Sequence, residues 1–283
     1  MKNWIQCAFG LLIVILGNLM GWTGVKEPWI FASSKASAGT LQDVKSRGKL
    51  IAGVMADTPP FGYLGDKREN KGFDVDVAKA LAKELFGDEN AVKFVAVTPE
   101  NRILFLTSRK VDVVLADMSM VNKWKEKIDF SLPYFISGQL ILTFGNSKII
   151  TYQDLTRKRV ATIQGSAGDV IIHELVPSAV RIEFQYEYEA LQALREHRVE
   201  AFVQDFVTLL YLQKKNPDLR ILNFQPFSPI PCGLGVRKGD SEWLNFVNAT
   251  LTRIKETGEY EKLMDKWFGR ASKGLWRLFL VKK

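Results

Sequence analysis

An apolar stripe at helical spacing is the clearest feature in the pattern of hydrophobic and polar positions. It lies in residues 72–85 and consists of Phe73, Val77, Ala80, Leu81 and Leu85. This spacing places the apolar side chains on one face of an α-helix. Asp74 stands where an N-cap is expected, and Asp76 follows in the first turn, where the helix dipole favours a carboxylate. The pattern therefore predicts an amphipathic helix that begins near Gly72.

Two apolar segments flank this helix and have the composition of buried strands. Residues 49–64 contain a short apolar run that ends in a turn rich in Pro and Gly, and residues 91–97 form a second apolar run. The order strand, loop, helix, strand is that of a βαβ unit, which joins parallel strands. We therefore expect an α/β fold with a largely parallel sheet in the first part of the chain.

Two later segments repeat the same order of residue types. In residues 110–117 and in residues 198–205, a basic residue and an acid precede a buried run that ends in an aspartate. Ligands of parallel α/β sheets bind beyond the carboxyl ends of the strands. If the segments belong to two similar lobes that face each other, Asp117 and Asp205 lie at a shared cleft.

Four segments carry a resemblance to a known family. They are GFDVDV at 72–77, DTPPFGY at 57–63, DFSLPYF at 129–135 and GEYEKLMDKWFG at 258–269. Over residues 39–269 the chain resembles the family 3 solute-binding proteins, the extracytoplasmic receptors of polar amino-acid ABC importers. The resemblance implies an α/β fold, the two-lobed periplasmic-binding-protein clamshell of type II. Two crossings between the lobes, near Thr143 and Cys232, are expected to act as hinges.

The expected domain boundaries follow from where the strand pattern leaves and re-enters the first lobe. We expect the first lobe at residues 39–142 and 234–270, and the second lobe at residues 143–233. A basic and apolar tail follows at residues 271–283. This tail lies beyond residue 269, where the resemblance to the family ends.

The N-terminal 38 residues have the features of a targeting segment. Lys2 precedes a long apolar run, and Ala-Ser-Ala at 36–38 forms an A-x-A cleavage pattern before Gly39. The apolar run at 5–22 is also nearly long enough to span a bilayer. We expect either a cleaved signal peptide or an N-terminal anchor, and in both cases a periplasmic or otherwise extracytoplasmic protein.

Composition narrows the function classes. The 283-residue chain has a net charge of +8, but its Lys and Arg residues are scattered among acids, which argues against a nucleic-acid partner. The sequence lacks Cys/His clusters with metal-ligand spacing, and it lacks the P-loop, G-x-G-x-x-G and G-x-S-x-G motifs. We therefore predict no metal, no cofactor and no catalytic residue. The resemblance implies a monomeric receptor that works with a permease and its ATPase.

The resemblance also implies a binding site. Asp205 matches the family aspartate that holds the α-ammonium group of the ligand, and Ser119 matches a hydroxyl of the anion site. Ser166 opens a helix whose free N–H groups could bind a carboxylate. Arg102 matches an arginine of members that bind acidic side chains.

The chain departs from the family pattern at the carboxylate site. Trp124 occupies the position of the usual carboxylate-binding arginine, and Asp117 stands where a small hydroxyl residue is usual. The remaining candidate residues follow the first strand: Asp57, Thr58 and Phe61.

These residues leave two ligand hypotheses open. Arg102 favours an acidic or amide amino acid, whereas Asp117 and Asp205 favour a cationic one. Trp124 could stack on an ammonium or guanidinium group. We expect a receptor for a polar amino acid or a related small solute. The alternatives are a cyclohexadienyl-dehydratase-like enzyme on the same fold and a ligand-sensing receptor.

Overall fold

The computed structural model describes residues 39–222 and 229–269. The predicted targeting segment and the basic tail lie outside these residues. No helix among the described residues combines the length and the apolar composition that crossing a membrane requires.

The described residues form strands and helices in an alternating order. The strands are β1 Leu50–Val54, β2 Asp57–Thr58, β3 Gly62–Leu64, β4 Asn70–Lys71, β5 Val92–Ala96, β6 Val113–Leu115, β7 Ile128–Phe130, β8 Phe135–Phe144, β9 Arg159–Ile163, β10 Val180–Phe184, β11 Ala201–Asp205, β12 Leu219–Leu222, β13 Pro229–Cys232 and β14 Gly235–Arg237. The helices are α1 Thr40–Arg47, α2 Phe73–Phe86, α3 Arg102–Thr107, α4 Asn122–Lys125, α5 Ala167–Leu175, α6 Glu187–Arg195, α7 Phe206–Lys215, α8 Ser241–Glu256 and α9 Glu259–Phe268, with a 3₁₀ turn at Tyr152–Leu155.

The first sheet has the strand order β5-β1-β6-β14-β7. Strand β1 pairs in parallel with β5 and with β6, and α2 connects β1 to β5 by way of a small β2-β3-β4 sheet. The βαβ unit predicted from the sequence is therefore confirmed. The helical stripe is also confirmed, because Phe73, Val77 and Leu81 are buried.

The entry into α2 depends on Gly72, which is the N-cap residue and has φ 137°. A Cβ atom at this position would lie 1.9 Å from the carbonyl oxygen of Phe61. Only glycine fits this close approach of two backbones. The expected N-cap role of Asp74 is wrong, since Asp74 lies inside the helix and its carboxylate bonds elsewhere, as described below.

The second sheet has the order β10-β9-β11-β8-β12. Strands β9, β10 and β11 pair in parallel, whereas β8 pairs antiparallel with β11 and β12. Strand β8 enters this sheet from Gln139 onward. The boundary expected at residues 142–143 thus falls inside β8.

The two connections between the sheets lie side by side. The first residues of β8 pair antiparallel with β13, from Phe135 opposite Cys232 to Gly138 opposite Pro229. The chain therefore leaves the first sheet and returns to it along one hydrogen-bonded ribbon. The action of this ribbon as a hinge, and the lobe boundaries, stay predictions.

One core cluster brings the two sheets together at their carboxyl ends. Met55 and Val97, which follow β1 and β5, pack in the same buried cluster as Ala167 and Ile171 of α5. The start of α5 and the end of β1 therefore share one core, and Met55 and Ala167 both line the cleft described next.

Candidate functional site

A polar cleft lies where the carboxyl ends of both sheets meet. It has a cavity volume of about 30 Å³, and its lining consists of Met55, Thr58, Pro99, Arg102, Ala116, Asp117, Ser119, Gln139, Ser166, Ala167, Glu187, Gln204 and Asp205. Three residues expected at the site, Asp57, Phe61 and Trp124, are absent from this lining.

Asp205 ends β11 and caps α7. The apolar run before it is buried in the second sheet, so its carboxylate emerges at the sheet edge. Its Oδ1 atom accepts a hydrogen bond from the Val207 N–H at 2.9 Å, and its Oδ2 atom has no hydrogen-bond partner among the described residues. Burial raises the pKa of Asp205 to about 7, against the lowering effect of the backbone N–H groups of Val207, Gly138 and Thr208.

Asp117 follows β6 and faces the cleft from the first sheet. It has φ 44°, a left-handed conformation that aspartate tolerates better than most residues. Its Oδ1 atom accepts a hydrogen bond from the Cys232 thiol at 3.4 Å. Burial raises the pKa of Asp117 well above its usual range, and the carboxylates of Asp205 and Asp74 raise it further. Asp117 and Asp205 therefore disfavour each other's charge.

The Asp74 carboxylate fixes the backbone of Asp117 through a hydrogen bond. Its Oδ2 atom accepts the Asp117 N–H at 2.9 Å, and its Oδ1 atom accepts the Tyr134 hydroxyl at 2.6 Å. Burial raises the pKa of Asp74 to about 7, although both hydrogen bonds lower it. The carboxylate that the sequence suggested as a helix cap is therefore a support for the cleft.

Arg102 is the single basic residue in the described lining. It opens α3, is 3% exposed, and donates from Nη1 to the Ala116 carbonyl oxygen at 2.8 Å. Its guanidinium carbon lies 4.8 Å from the centroid of the Trp124 ring. Burial lowers the pKa of Arg102 to about 10, so the group stays charged at neutral pH. Trp124 thus packs its ring against the Arg102 guanidinium group and is absent from the cleft lining.

Glu187 and Gln204 form a polar bridge that the sequence analysis did not identify. The amide nitrogen of Gln204 donates to Glu187 Oε1, and the amide oxygen of Gln204 accepts the Asp205 N–H at 2.8 Å. Glu187 Oε2 has no partner in the described part of the chain, and burial raises the pKa of Glu187 well above its usual range. A signal was available, because Glu187, Ala190 and Leu194 share the buried face of α6 at helical spacing.

The remaining expected residues have structural partners. The Asp57 carboxylate accepts the Glu187 N–H at 3.0 Å and so links the β2 segment to α6. The Ser166 hydroxyl caps α5 by accepting the Asp169 N–H at 3.2 Å. Phe61 lies in the core, where its ring centroid is 4.9 Å from that of Phe135.

The cleft is suited to hold positive charge. Its described lining contributes the carboxyl groups of Asp117, Glu187 and Asp205 but only one guanidinium group. Within the described ranges, no group of His, Cys, Asp and Glu side chains is arranged to hold a metal ion.

Comparison with known proteins identifies the family. The model of the bacterial extracellular solute-binding proteins, family 3, matches residues 50–270. The chain belongs to this family. The resemblance inferred from the four sequence segments is therefore confirmed, and this chain is an extracytoplasmic solute-binding receptor.

Individual family members are similar over most of their length. The ABC transporter glutamine-binding protein GlnH of Bacillus subtilis (strain 168) is 33% identical over 83% of this chain and 87% of its own. The solved structure of the P235GK mutant of ArgBP from T. maritima has a TM-score of 0.77 and 35% identity, over 82% of this chain and 100% of that chain.

A third relative is an ancestral amino acid-binding protein, AncCDT-1, described as a precursor of cyclohexadienyl dehydratase. Its crystal structure has a TM-score of 0.75 and 36% identity, over 81% of this chain and 99% of that chain. These similarities confirm the two-lobed periplasmic-binding-protein fold.

Proposed function

We propose that this receptor captures a polar amino acid or a related small amine in the cleft, and passes it unchanged to an ABC permease and its ATPase. One observation carries the proposal. Asp205 Oδ2 is buried at the cleft and has no hydrogen-bond partner among the described residues. A ligand ammonium group supplies both the missing donor and the opposite charge.

The rest of the cleft fits a small zwitterion. Arg102 provides a guanidinium group for a ligand carboxylate, and its Nε atom has no partner among the residues described. The named ligands of GlnH and of ArgBP, glutamine and arginine, both carry an α-ammonium and an α-carboxylate group. A buried charged group without an oppositely charged partner weakens binding. We therefore expect each charged group of the ligand to pair with a group of the cleft.

A thermal-shift screen tests the proposal first. The twenty common amino acids, diamines and small dicarboxylates are added to the purified protein, and a ligand that binds only the folded form raises the melting temperature. We expect at least one amine-bearing compound to raise it. If none of them does, the proposed function is wrong.

Calorimetry on Asp205→Asn then tests the site. The substitution keeps the shape and removes the charge, so we expect the best ligand from the screen to bind about 30- to 1000-fold more weakly. Asp218→Asn serves as the control, because Asp218 is an exposed partner of Arg195 outside the cleft. Equal affinity of Asp205→Asn and the parent protein would show that the cleft is assigned incorrectly.

A dehydratase-like activity is the second candidate. It is favoured by Asp117, since burial raises the pKa of this carboxyl well above its usual range and so favours the protonated form that acts as a general acid. Incubation with prephenate and detection of phenylpyruvate separates the two functions. We expect no product above the level of Asp117→Asn.

A further inference from the structure

We infer that the cleft selects ligands with two cationic nitrogen groups, and that Glu187 holds the second of them. The inference rests on the proposed function, in which Asp205 holds the first cationic group. It concerns a side of the cleft that the family resemblance does not assign.

Three buried acceptor atoms of the lining lack hydrogen-bond partners within the described structure. They are Asp205 Oδ2, Glu187 Oε2 and Gln139 Oε1. The residues are 2%, 3% and 3% exposed, so water satisfies these atoms poorly. An unsatisfied buried acceptor is costly, and each of the three atoms can accept a hydrogen bond from a ligand donor.

The three acceptors belong to one side of the cleft. Gln139 on β8 lies directly opposite Asp205 on β11 in the antiparallel register. Gln204 bridges Asp205 and Glu187, and both of its polar side-chain atoms are used in doing so. Gln204 thus links the Glu187 carboxyl group to the Asp205 backbone and offers neither residue a positive charge.

Arg102 does not neutralise Glu187 or Asp205. The carboxylates that act most strongly on its pKa include Asp117 and Asp74, both from the first half of the chain. Among the described ion pairs, none involves Glu187 or Asp205. A ligand with one ammonium group pairs with Asp205 and leaves Glu187 Oε2 without a hydrogen-bond partner, whereas a second cationic group donates a hydrogen bond to it.

Two chemical sources provide such ligands. Basic amino acids carry an α-ammonium, a side-chain cation and a carboxylate that Arg102 can bind. Diamines and guanidino-amines carry the two cations without the carboxylate. Both share the spacing of two cationic nitrogens along a short chain, and the experiment separates them.

Calorimetry with matched ligands tests the inference. L-arginine and L-citrulline have nearly the same shape, but the side chain of citrulline is neutral. L-lysine, L-ornithine, agmatine and putrescine complete the set of dications, and L-glutamine is a second neutral compound. We expect the tightest dication to bind about 30-fold or more tighter than the tightest neutral compound, because only the dication gives Glu187 a charged hydrogen-bond donor.

Two substitutions test which residue binds the second cationic group of the ligand. We expect Glu187→Gln, which keeps the shape of the side chain, to reduce the preference for the dication to less than about 3-fold. Asp205→Asn is expected to weaken cationic and neutral amines alike. Glu189→Gln is the matched control on the same helix, since Glu189 caps α6 through a hydrogen bond that an amide oxygen also accepts, and it is absent from the lining. Thermal melting of each variant verifies that it is folded.

The possible outcomes distinguish failure of this inference from failure of the proposed function. A neutral amino acid that binds tighter than every dication, and that Asp205→Asn weakens, overturns the inference and leaves the proposed function intact. Failure of every amine to bind overturns both. An unchanged preference in Glu187→Gln overturns the role of Glu187. Binding of agmatine and putrescine within about 10-fold of arginine supports carboxylate-free amines, and weaker binding supports basic amino acids.

Discussion

At the scale of single residues, the behaviour of the cleft follows from carboxyl groups held away from water. Burial is the largest cause of the raised pKa values of Asp205, Asp117, Glu187 and Asp74. In the unfolded chain an aspartate has a pKa of about 3.9. The folded protein therefore binds more protons than the unfolded chain between about pH 4 and 7.

The ligand-free protein is expected to become less stable as the pH rises through this range. A carboxyl with a folded pKa of about 7 stays protonated while its unfolded counterpart ionises, so the free energy of unfolding falls from about pH 4 to 7 and then levels off. Melting temperatures between pH 5 and pH 8 measure the effect. Asp205→Asn should flatten part of the slope, and a parent protein whose stability rises over this range would contradict the assignment.

Ligand affinity is expected to change with the opposite sign. An ammonium group pairs with the ionised carboxylate, and protons compete with it below the pKa of about 7 for Asp205. If Asp205 is the only group that titrates on binding, the ligand should bind about 100-fold more weakly at pH 5 than at pH 8. Calorimetry at a series of pH values determines this, and an affinity independent of pH would exclude an ionised Asp205 in the complex.

Trp124 is expected to matter for stability through Arg102. The ring is 6% exposed and lies beneath the guanidinium group. Trp124→Ala removes a large buried ring, so we expect a loss of about 3–5 kcal/mol in the free energy of unfolding. Urea denaturation measures it. Trp124→Phe keeps an aromatic face and should lose clearly less; equal losses would mean that the contact with Arg102 is unimportant.

Sequence reasoning located some cleft residues and missed others for physical reasons. The repeated strand pattern suggested that Asp117 and Asp205 share a cleft, and the structure has both in the lining. Glu187 was missed because an acid at the start of a helix is favoured by the dipole and needs no functional reason. Phe61 was proposed from its nearness in sequence, which does not determine the direction of its side chain after a turn.

At the scale of elements, local periodicity predicted α2 and the βαβ unit, but strand pairing was harder to predict. The apolar run in β8 identifies a strand without identifying its neighbours. Its pairing with β11, β12 and β13 depends on residues 60–97 positions away in the chain, as in Gln139 opposite Asp205 and Phe135 opposite Cys232. The expected boundary at 142–143 therefore divides a strand that is continuous in the structure.

The hydrogen bond between Asp57 and the start of α6 is expected to hold the cleft closed. It joins the β2 segment to the Glu187 N–H. Asp57→Ala removes the acceptor, and a net loss of about 0.5–1.5 kcal/mol corresponds to roughly 2- to 10-fold weaker ligand binding. Small-angle X-ray scattering of the ligand-free variant should show a larger radius of gyration.

Asp57→Asn is the matched control, since its amide oxygen still accepts the Glu187 N–H. It should retain the compact dimensions of the parent protein. Expansion of both variants to the same extent would assign the effect to the charge of Asp57 instead of the hydrogen bond.

At the scale of the whole molecule, α1 defines where the folded body begins. The Thr40 N–H donates to Asp240 Oδ2 at 3.1 Å, and Leu41 and Val44 are buried. We expect a protein that lacks residues 1–38 to unfold cooperatively. Removal of residues 1–48 exposes the surface that Leu41 and Val44 cover, so it should lose roughly 3–6 kcal/mol. Urea titrations followed by circular dichroism compare the two, and equal stability would show that α1 is dispensable.

The raised pKa of Asp205 also couples ligand binding to proton release. In the proposed function, a ligand ammonium group displaces the proton of Asp205, whose pKa is about 7, and binding near neutral pH releases this proton to the solvent. Empty and loaded receptors then differ little in net charge. If the proposed function holds, a permease distinguishes the two states by shape more than by charge, and the local pH affects how readily the receptor releases its ligand.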